Sequence, residues 1–360
     1  MALLRRIARA RLASQVIRRL RRAGMSDARY DTGTFSVRFT AAGDDVPTVM
    51  ELDGLVTDRR TGRSERRSRL DRFVAGFLRT PAVPTDWTAA RRLLRPVLRG
   101  ATPLPADVAT PLRRPAMPFL SEYLVVDRPD TMTYVSADQL DEWDVSADDA
   151  FRAALSNLSG AVLHGVAGEP TVVRFVDGGD AYWTSHLLLD GWLSRLTPQV
   201  GGVPVAFAPE RGTLIVAPDG SAHLPELFSQ VERVYASSPR PITPMAYVSD
   251  ENGRTVPYVV GSDHPIRGCV ERAEAVLAVT EYGRQAAALN RDVAPVRVVG
   301  SEPDGWRTRA LWTRDEPTLL PRADEVLVGD AVRSWAEVEP HLTRVPDLDP
   351  PRWQAESWPK

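Results

Sequence analysis

The sequence has almost no cysteine: Cys269 is alone among 360 residues. One cysteine cannot form an intrachain disulfide, and it cannot supply the thiolates of a cysteine-rich zinc site. A secreted fold held by disulfides is therefore excluded, and we expect a cytoplasmic protein in a reducing compartment. No run of about 18 apolar residues occurs, and the arginine-rich N-terminus lacks the apolar core of a secretory signal.

The motifs of several common enzyme classes are also missing. HExxH, GxxxxGK[ST], GxSxG and GxGxxG do not occur. This lowers the expectation of the usual hydrolase, nucleotide and dehydrogenase chemistries. The histidines are few and scattered along the chain, at His164, His186, His223, His264 and His341.

Charge is distributed unevenly along the chain. Residues 1–114 contain 24 arginines and 11 acidic residues, whereas residues 115–360 contain 21 basic and 36 acidic residues. The two parts therefore carry net charges of +13 and −15. Such opposite charges predict either docking of the two parts on each other, which we favour, or a basic third that faces an anionic partner.

The first 24 residues contain two helical patterns. The apolar residues of the first pattern share one face: Leu3, Leu4, Ile7, Ala8 and Leu12. Its opposite face carries the candidate binding residues Arg5, Arg6 and Arg9. The apolar stripe of the second pattern points the other way on a continuous helix, and Ser14 is a suitable N-cap. We therefore expect a basic amphipathic arm over residues 1–13 and a break near Ser14. The arm would either cover the chain's own core, which we favour, or meet a membrane surface or a partner's groove.

The rest of the chain mixes helical and strand periodicities. A strong helical stripe comprises Leu70, Phe73, Val74, Phe77 and Leu78. Asp86, Ser136 and Ser146 stand where helix N-caps are expected. Strands are predicted near 172–176, 203–208, 213–217, 243–248 and 255–260, with helices near 182–196, 224–235 and 270–289. We predict an α+β fold with mixed, largely antiparallel sheets and flanking helices, in two or three domains.

Composition suggests where these domains begin and end. Five prolines between residues 101 and 118 predict a linker over 101–119. The expected segments are an arm (1–13), a basic α+β domain (14–100), the linker, a central α+β domain (120–260) and a C-terminal α/β extension (261–360). The tail after Pro340 is proline-rich and is expected to be irregular.

Six stretches follow one another in a recognisable order: residues 14–24, 92–99 (RLLRPVLR), 120–157 (with TYVSADQLDEWDVSADD), 177–185 (DGGDAYWTS), 203–219 (VPVAFAPERGTLIVAPD) and 240–253 (RPITPMAYVSDENG). This ordered series resembles the YtpQ-like family of uncharacterised bacterial proteins. The resemblance covers about 240 residues and ends near residue 260. The family has no established activity, so the resemblance implies a shared fold and no catalytic residues.

One segment carries candidate site residues of the right chemical types. Asp177 and Asp180 flank two glycines, and His186 and Asp190 follow at helical spacing. Carboxylates with one imidazole suit a hard or borderline metal ion. The alternative, which we favour, is a glycine turn with Asp180 as a helix cap and two ordinary surface residues.

These observations lead to three hypotheses of function. The favoured one is a non-catalytic binding or adaptor protein with a protein partner and with no cofactor or metal ion. The first alternative is an enzyme whose site, with or without a metal ion, lies near residues 177–190. The second is nucleic-acid binding through the basic third, which is also rich in arginine at 59, 60, 63, 66, 67, 69 and 72. For these arginines we favour a solvated helix face with some pairing to the acidic part of the chain. An anionic membrane surface or nucleic acid is a less favoured partner than a protein.

Overall fold

The helices and strands of this chain follow its apolar periodicity in most places. A computed structural model of the protein describes residues 2–32, 35–40, 48–52, 55, 62–79, 83–102, 111–128, 131–162, 164–177, 181–289 and 291–359. Helices and antiparallel sheets are mixed along these ranges, so the predicted α+β fold is confirmed. None of the described helices combines the length and the apolar composition that a bilayer crossing requires.

The bounds of the helices and strands are as follows. The α-helices are α1 (Ala2–Arg22), α2 (Arg63–Arg79), α3 (Trp87–Leu93), α4 (Ala137–Trp143), α5 (Ala147–Ser156), α6 (Thr197–Val200), α7 (Leu224–Ser237), α8 (Arg267–Ala288) and α9 (Trp335–Val338). Short 3-10 helices span Trp183–Leu188, Ser194–Leu196 and Glu339–His341. The strands are β1 (Arg29–Asp31), β2 (Ser36–Phe39), β3 (Thr48–Glu51), β4 (Leu94–Gly100), β5 (Arg113–Met117), β6 (Leu120–Arg128), β7 (Thr131–Tyr134), β8 (Val173–Val176), β9 (Pro204–Glu210), β10 (Thr213–Pro218), β11 (Ala246–Ser249), β12 (Thr255–Pro257), β13 (Val296–Ser301), β14 (Gly305–Trp312), β15 (Thr318–Pro321), β16 (Glu325–Val328), β17 (Ala331–Ser334), β18 (Thr343–Arg344) and β19 (Arg352–Ala355).

The strands that the structure describes form four sheets. Their orders are β1-β2-β3-β7-β6-β4 with β5 beside β6, then β12-β11-β9-β10-β8, β13-β14-β16-β17 and β15-β19-β18. The described ladders are antiparallel except for β14 with β16, which is parallel. Antiparallel neighbours can be joined by short turns, and the pairing agrees with the largely antiparallel sheets predicted from the sequence.

The expected helix N-caps are confirmed. Asp86 accepts a backbone hydrogen bond at the start of α3, and Ser146 does so at the start of α5. Ser136 forms a full capping box with Gln139, because each side chain accepts a hydrogen bond from the other residue's backbone N–H. These caps satisfy donors that helix geometry leaves without partners, so they fix where the helices begin.

Helix α1 is continuous from Ala2 to Arg22, so the expected break near Ser14 is wrong. Ser14 does not cap a new helix. Its Oγ donates to the carbonyl of Ala10 at 2.8 Å, four residues back on the same helix. A serine hydroxyl can satisfy itself in this way inside a helix, so the residue type alone does not mark a helix start.

The chain divides into two compact units, and the first comprises Met1–Val97, Ala106–Arg114 and Tyr123–Ser159. Within it, α1 packs on β1 and β2 and against α2. Val16 and Leu20 of α1 are fully buried in this core. A second apolar cluster of this unit lies around α3 and α5. These limits differ from the expected domain ranges, since residues 123–159 belong here and not with a central domain.

The second unit comprises Leu98–Pro105, Pro115–Glu122 and Gly160–Lys360. Its larger core is built on β9 and β10, with α7 packed on β9 and α8 against α7. Phe207, Val231 and Leu277 are fully buried there. Helix α8 also packs on β13 and β14, next to a smaller tryptophan-rich core.

Two segments that proline content predicted to be irregular contain strands. Part of the expected linker over 101–119 forms β5, which pairs with β6. The tail after Pro340 forms β18 and β19, and β19 lies between β15 and β18. The tail is therefore not irregular throughout. Arg352, Trp353 and Ala355 are buried, and this burial stabilises the strand despite the neighbouring prolines.

Candidate functional site

The carboxylate of Asp177, the residue after β8, accepts two backbone hydrogen bonds. Its Oδ1 accepts the backbone N–H of Ala181 at 3.0 Å, and its Oδ2 accepts that of Tyr182 at 2.6 Å. Tyr182 has a φ of 52°, a left-handed conformation that costs roughly 1–3 kcal/mol for a residue of this kind. Both carboxylate oxygens of Asp177 are therefore engaged in hydrogen bonds that stabilise the backbone at Ala181 and at the strained Tyr182. Asp180 lies outside the described residues.

The segment after Tyr182 is not the α-helix expected near 182–196. It forms two 3-10 helices and then α6. The first 3-10 helix ends at Leu188, before Asp190, and its residues align at a spacing of three and not four. The prediction that His186 and Asp190 share one helix face is therefore wrong. His186 is fully buried, whereas Asp190 is exposed.

His186 lies between two indole rings. Its ring centroid is 5.1 Å from that of Trp183 and 5.0 Å from that of Trp192, and its Nδ1 lies 3.1 Å from the carbonyl oxygen of Tyr182. Burial lowers the pKa of His186, because a charged imidazolium loses hydration in this position. The imidazole is thus a neutral core group at neutral pH.

No metal-binding group emerges from the part of the chain that the structure describes. Clusters of three or more His, Cys, Asp or Glu side chains in metal-binding geometry are absent from these residues. The carboxylate of Asp177 accepts hydrogen bonds from backbone N–H groups, and His186 is buried whereas Asp190 is exposed. Among the described residues, Asp177 and His186 therefore have structural surroundings: backbone donors for the carboxylate and two indole rings for the imidazole.

The candidate residues of the first helix have different surroundings. Arg6 is exposed, and the side chain of Arg5 lies outside the described part of the structure. The guanidinium of Arg9 lies over the ring of Phe35, 4.6 Å from its centroid. Ile7, which we expected on the buried face, is 41% exposed. The expected orientation is wrong because Val16 and Leu20 set the rotation of one continuous helix.

The solvent side of α1 carries a basic stripe that the arm hypothesis did not include. Four exposed side chains form it: Arg11, Arg18, Arg21 and Arg22. If the helical period is continued through Ser14, Arg11 falls on the same side of the helix as Arg18. This periodicity is the sequence signal that predicts the basic stripe. Arg11, Arg18 and Arg22 make no ion pair with any residue that the structure describes.

A shallow groove of about 580 Å³ runs beside this stripe. Its lining residues are Ser14, Ile17, Arg18, Arg21 and Arg22. The neighbouring Arg19 is neutralised, because its Nε lies 2.6 Å from Oδ1 of Asp71 on α2. Arg21 donates to the carbonyl of Ala28 at 3.1 Å. The groove therefore offers guanidinium donors next to one partly buried apolar side chain, Ile17.

The chain matches no family model. No curated protein and no solved structure matches it either. The site must therefore be interpreted from its own geometry.

The basic residues of α2 add only a little to this surface. Arg67 and Arg72 are exposed. Arg59 and Arg60 lie outside the described residues, as do the side chains of Arg63, Arg66 and Arg69. Among the described side chains of α2 the aromatic one is Phe73, and it packs against the apolar core of the first unit, so these side chains offer no platform for base stacking.

The geometry of α1 suits recognition of negative charge. Guanidinium groups present several donors in a planar fork and bind carboxylates or phosphates in two-point contacts. Neither a nucleophile with a paired base nor an acid–base pair lies beside the basic stripe among the described residues. The stripe can therefore bind and orient an anionic surface.

Proposed function

We propose that this protein is a non-catalytic binding protein of the cytoplasm, and that the basic stripe of α1 contacts an acidic surface of a protein partner. We also propose membership of the YtpQ-like family, on the stretches given above. The observation that carries the binding proposal is the set of exposed arginines on one side of α1, three of which lack a described ion pair.

Charge complementarity explains why such a surface would be used for association. An unpaired row of like charges destabilises the free protein slightly through self-repulsion, and an acidic partner relieves this repulsion. Each exposed ion pair formed contributes only about 0.2–1 kcal/mol, so several must act together. Complementary charge also raises the rate of encounter and rejects partners of the same sign.

The test is binding of a fluorescein-labelled glutamate-rich peptide to the full-length protein, measured by fluorescence anisotropy at low and at high salt. A glutamine-rich peptide of the same length is the uncharged control. We expect the triple variant Arg11→Glu, Arg18→Glu and Arg22→Glu to weaken binding at least about tenfold. High salt should weaken binding to the wild-type protein as well.

A matched variant controls for overall charge. Three exposed arginines of the second unit, Arg291, Arg297 and Arg307, can be changed to glutamate to give the same net charge. This control should bind the acidic peptide nearly as well as the wild-type protein. Equal losses in both triple variants would mean that net charge alone causes binding, and the proposed surface would be wrong.

The same experiment also tests other anionic partners. Duplex DNA and vesicles that contain anionic lipid are titrated alongside the peptide. Tighter, stripe-dependent binding to DNA would favour the nucleic-acid alternative, with affinity that falls steeply with salt. Stripe-dependent binding to vesicles and not to the peptide would make a membrane surface the partner.

A further inference from the structure

Five of the exposed residues of α1 form a straight line along the helix. Ile7, Arg11, Ser14, Arg18 and Arg21 recur at alternating steps of four and three, and all five are exposed. A repeat that averages 3.5 residues stays nearly parallel to the axis of a helix with 3.6 residues per turn. This line, which we call the seam, spans 14 steps, or about 21 Å at 1.5 Å per residue. A straight row of side chains along the axis gives a second helix a continuous line of contact.

The middle of the seam allows close approach. Ser14 is its smallest side chain, and its Oγ already donates to the carbonyl of Ala10. If apolar atoms of a partner cover Ser14, its hydroxyl therefore keeps a hydrogen-bond acceptor. The groove of about 580 Å³ begins at Ser14 and continues past Arg18 to Arg21 and Arg22. A neighbouring helix could rest here at the short interaxial distance that small side chains permit.

The two ends of the seam differ in chemistry. Ile7 is 41% exposed and lies towards the N-terminus of α1, whereas Arg18 and Arg21 lie towards its C-terminus. An antiparallel helix would place its own N-terminal turns against Arg18 and Arg21. Carboxylates are favoured in the N-terminal turns of any helix, because they interact well with its macrodipole. The same orientation would bring an apolar residue near its C-terminus against Ile7.

We propose that the partner element is an acidic amphipathic α-helix that lies antiparallel along the seam of α1. This rests on the proposed function, in which the basic stripe contacts a protein partner. Carboxylates in the first half of the partner helix would bind Arg18 and Arg21, with a further one at Arg11. An apolar side chain in its second half would pack on Ile7.

The experiment uses the full-length protein and three synthetic peptides of the same composition. The first is a lactam-stapled helix with glutamates on one face of its N-terminal half and a leucine on that face near its C-terminus. The second is stapled in the same way but has its glutamates distributed around the helix. The third carries the first pattern in reverse order along the helix. Affinities are measured by fluorescence anisotropy.

We expect the first peptide to bind at least about tenfold more tightly than the other two, which corresponds to a difference of about 1.4 kcal/mol. Arg18→Glu should remove this preference, and a version of the first peptide in which lysine replaces only the glutamate that faces Arg18 should restore binding to that variant. Arg18 makes no hydrogen bond within the described residues, so circular dichroism melting should show an unchanged fold.

The outcomes separate this inference from the proposed function. Equal affinity for all three peptides, with loss of binding in Arg18→Glu, would overturn the antiparallel helix and leave the acidic partner in place. Tighter binding of the reversed peptide would overturn the orientation and therefore the proposal. Binding that ignores Arg18 and Arg11 would overturn both the helix and the proposed function.

Discussion

A single methyl group added at Gly100 should destabilise the second unit strongly. A Cβ at this position would lie 2.5 Å from Oε2 and 2.6 Å from Oε1 of Glu281. Glu281 is fully buried, so its carboxylate has no solvent into which it can move. Its oxygens are also held: Thr102 Oγ1 donates to Oε2 at 3.1 Å, and Arg284 Nη1 donates to Oε1 at 2.5 Å. The backbone of Gly100 is not in the left-handed region, so the alanine itself brings no strain.

The magnitude follows from two costs. Forcing extra volume into a packed interior costs about 1–3 kcal/mol. Displacing the carboxylate breaks hydrogen bonds to a charged group, each of which contributes about 1.5–3 kcal/mol. Gly100→Ala should therefore lower the free energy of unfolding by about 3–5 kcal/mol, a large part of the total stability of an ordinary domain.

Urea denaturation followed by tryptophan fluorescence measures this change. Seven of the nine tryptophans lie in the second unit, so the signal reports mainly on the unit that carries the substitution. The same substitution is also made in a Glu281→Ala background, where the obstructing carboxylate is gone. There we expect Gly100→Ala to cost less than about 1 kcal/mol, since alanine is otherwise preferred to glycine inside a strand.

The two backgrounds form a double-mutant cycle, which isolates the contact between the two positions. If Gly100→Ala costs the same with and without the carboxylate of Glu281, the clash is not the cause and the reasoning fails. A denaturant slope that changes between variants would point to altered compactness and not to a lost contact.

Two further perturbations test the buried ionisable groups. Because burial lowers the pKa of His186, the unfolded chain binds a proton more readily than the folded one, so the free energy of unfolding should fall as pH drops below about 6.5. His186→Phe should reduce this pH dependence. If the melting temperature of the variant still falls with pH below about 6.5 as steeply as that of the wild-type protein, the burial argument is contradicted. Arg352 is 1% exposed and donates to the side chain of Gln285 and to two backbone carbonyls. In urea denaturation, Arg352→Ala should lower the free energy of unfolding by about 3 kcal/mol or more. The exposed control Arg344→Ala should change it by less than about 0.5 kcal/mol. Equal changes in the two variants would show that Arg352 does not stabilise the tail.

Local signals in the sequence predicted local structure well. The caps at Ser136 and Ser146 are side-chain-to-backbone hydrogen bonds over three residues, so they depend on nothing distant in the chain. The apolar period around Leu70 and Val74 likewise predicted α2, because both residues are buried on one helix face. The α+β fold could be predicted from such local elements together with their short turns.

The site residues were harder to predict because their surroundings come from distant segments. His186 looked like a surface residue, yet Trp192 and the core behind β8 and β10 enclose it. The strand at Arg352 depends on acceptors contributed by α8 and β15, far away in sequence. At the N-terminus, two short apolar periods predict separate helices, although the hydroxyl of Ser14 bonds within one helix that continues without a break.

The continuity of α1 has a practical consequence for finding the partner. The helix is a single rod of about 30 Å, and the same rod carries Ile7 at one end and the buried Leu20 near the other. A ligand that binds only the folded protein raises its stability by mass action, by about 2.7 kcal/mol when its concentration is a hundredfold above its Kd. A ligand that contacts the first turns of α1 should therefore raise the melting temperature of the first unit. A hinged arm would not pass this stabilisation on to the rest of the unit. Thermal shift becomes a label-free screen for whatever binds there.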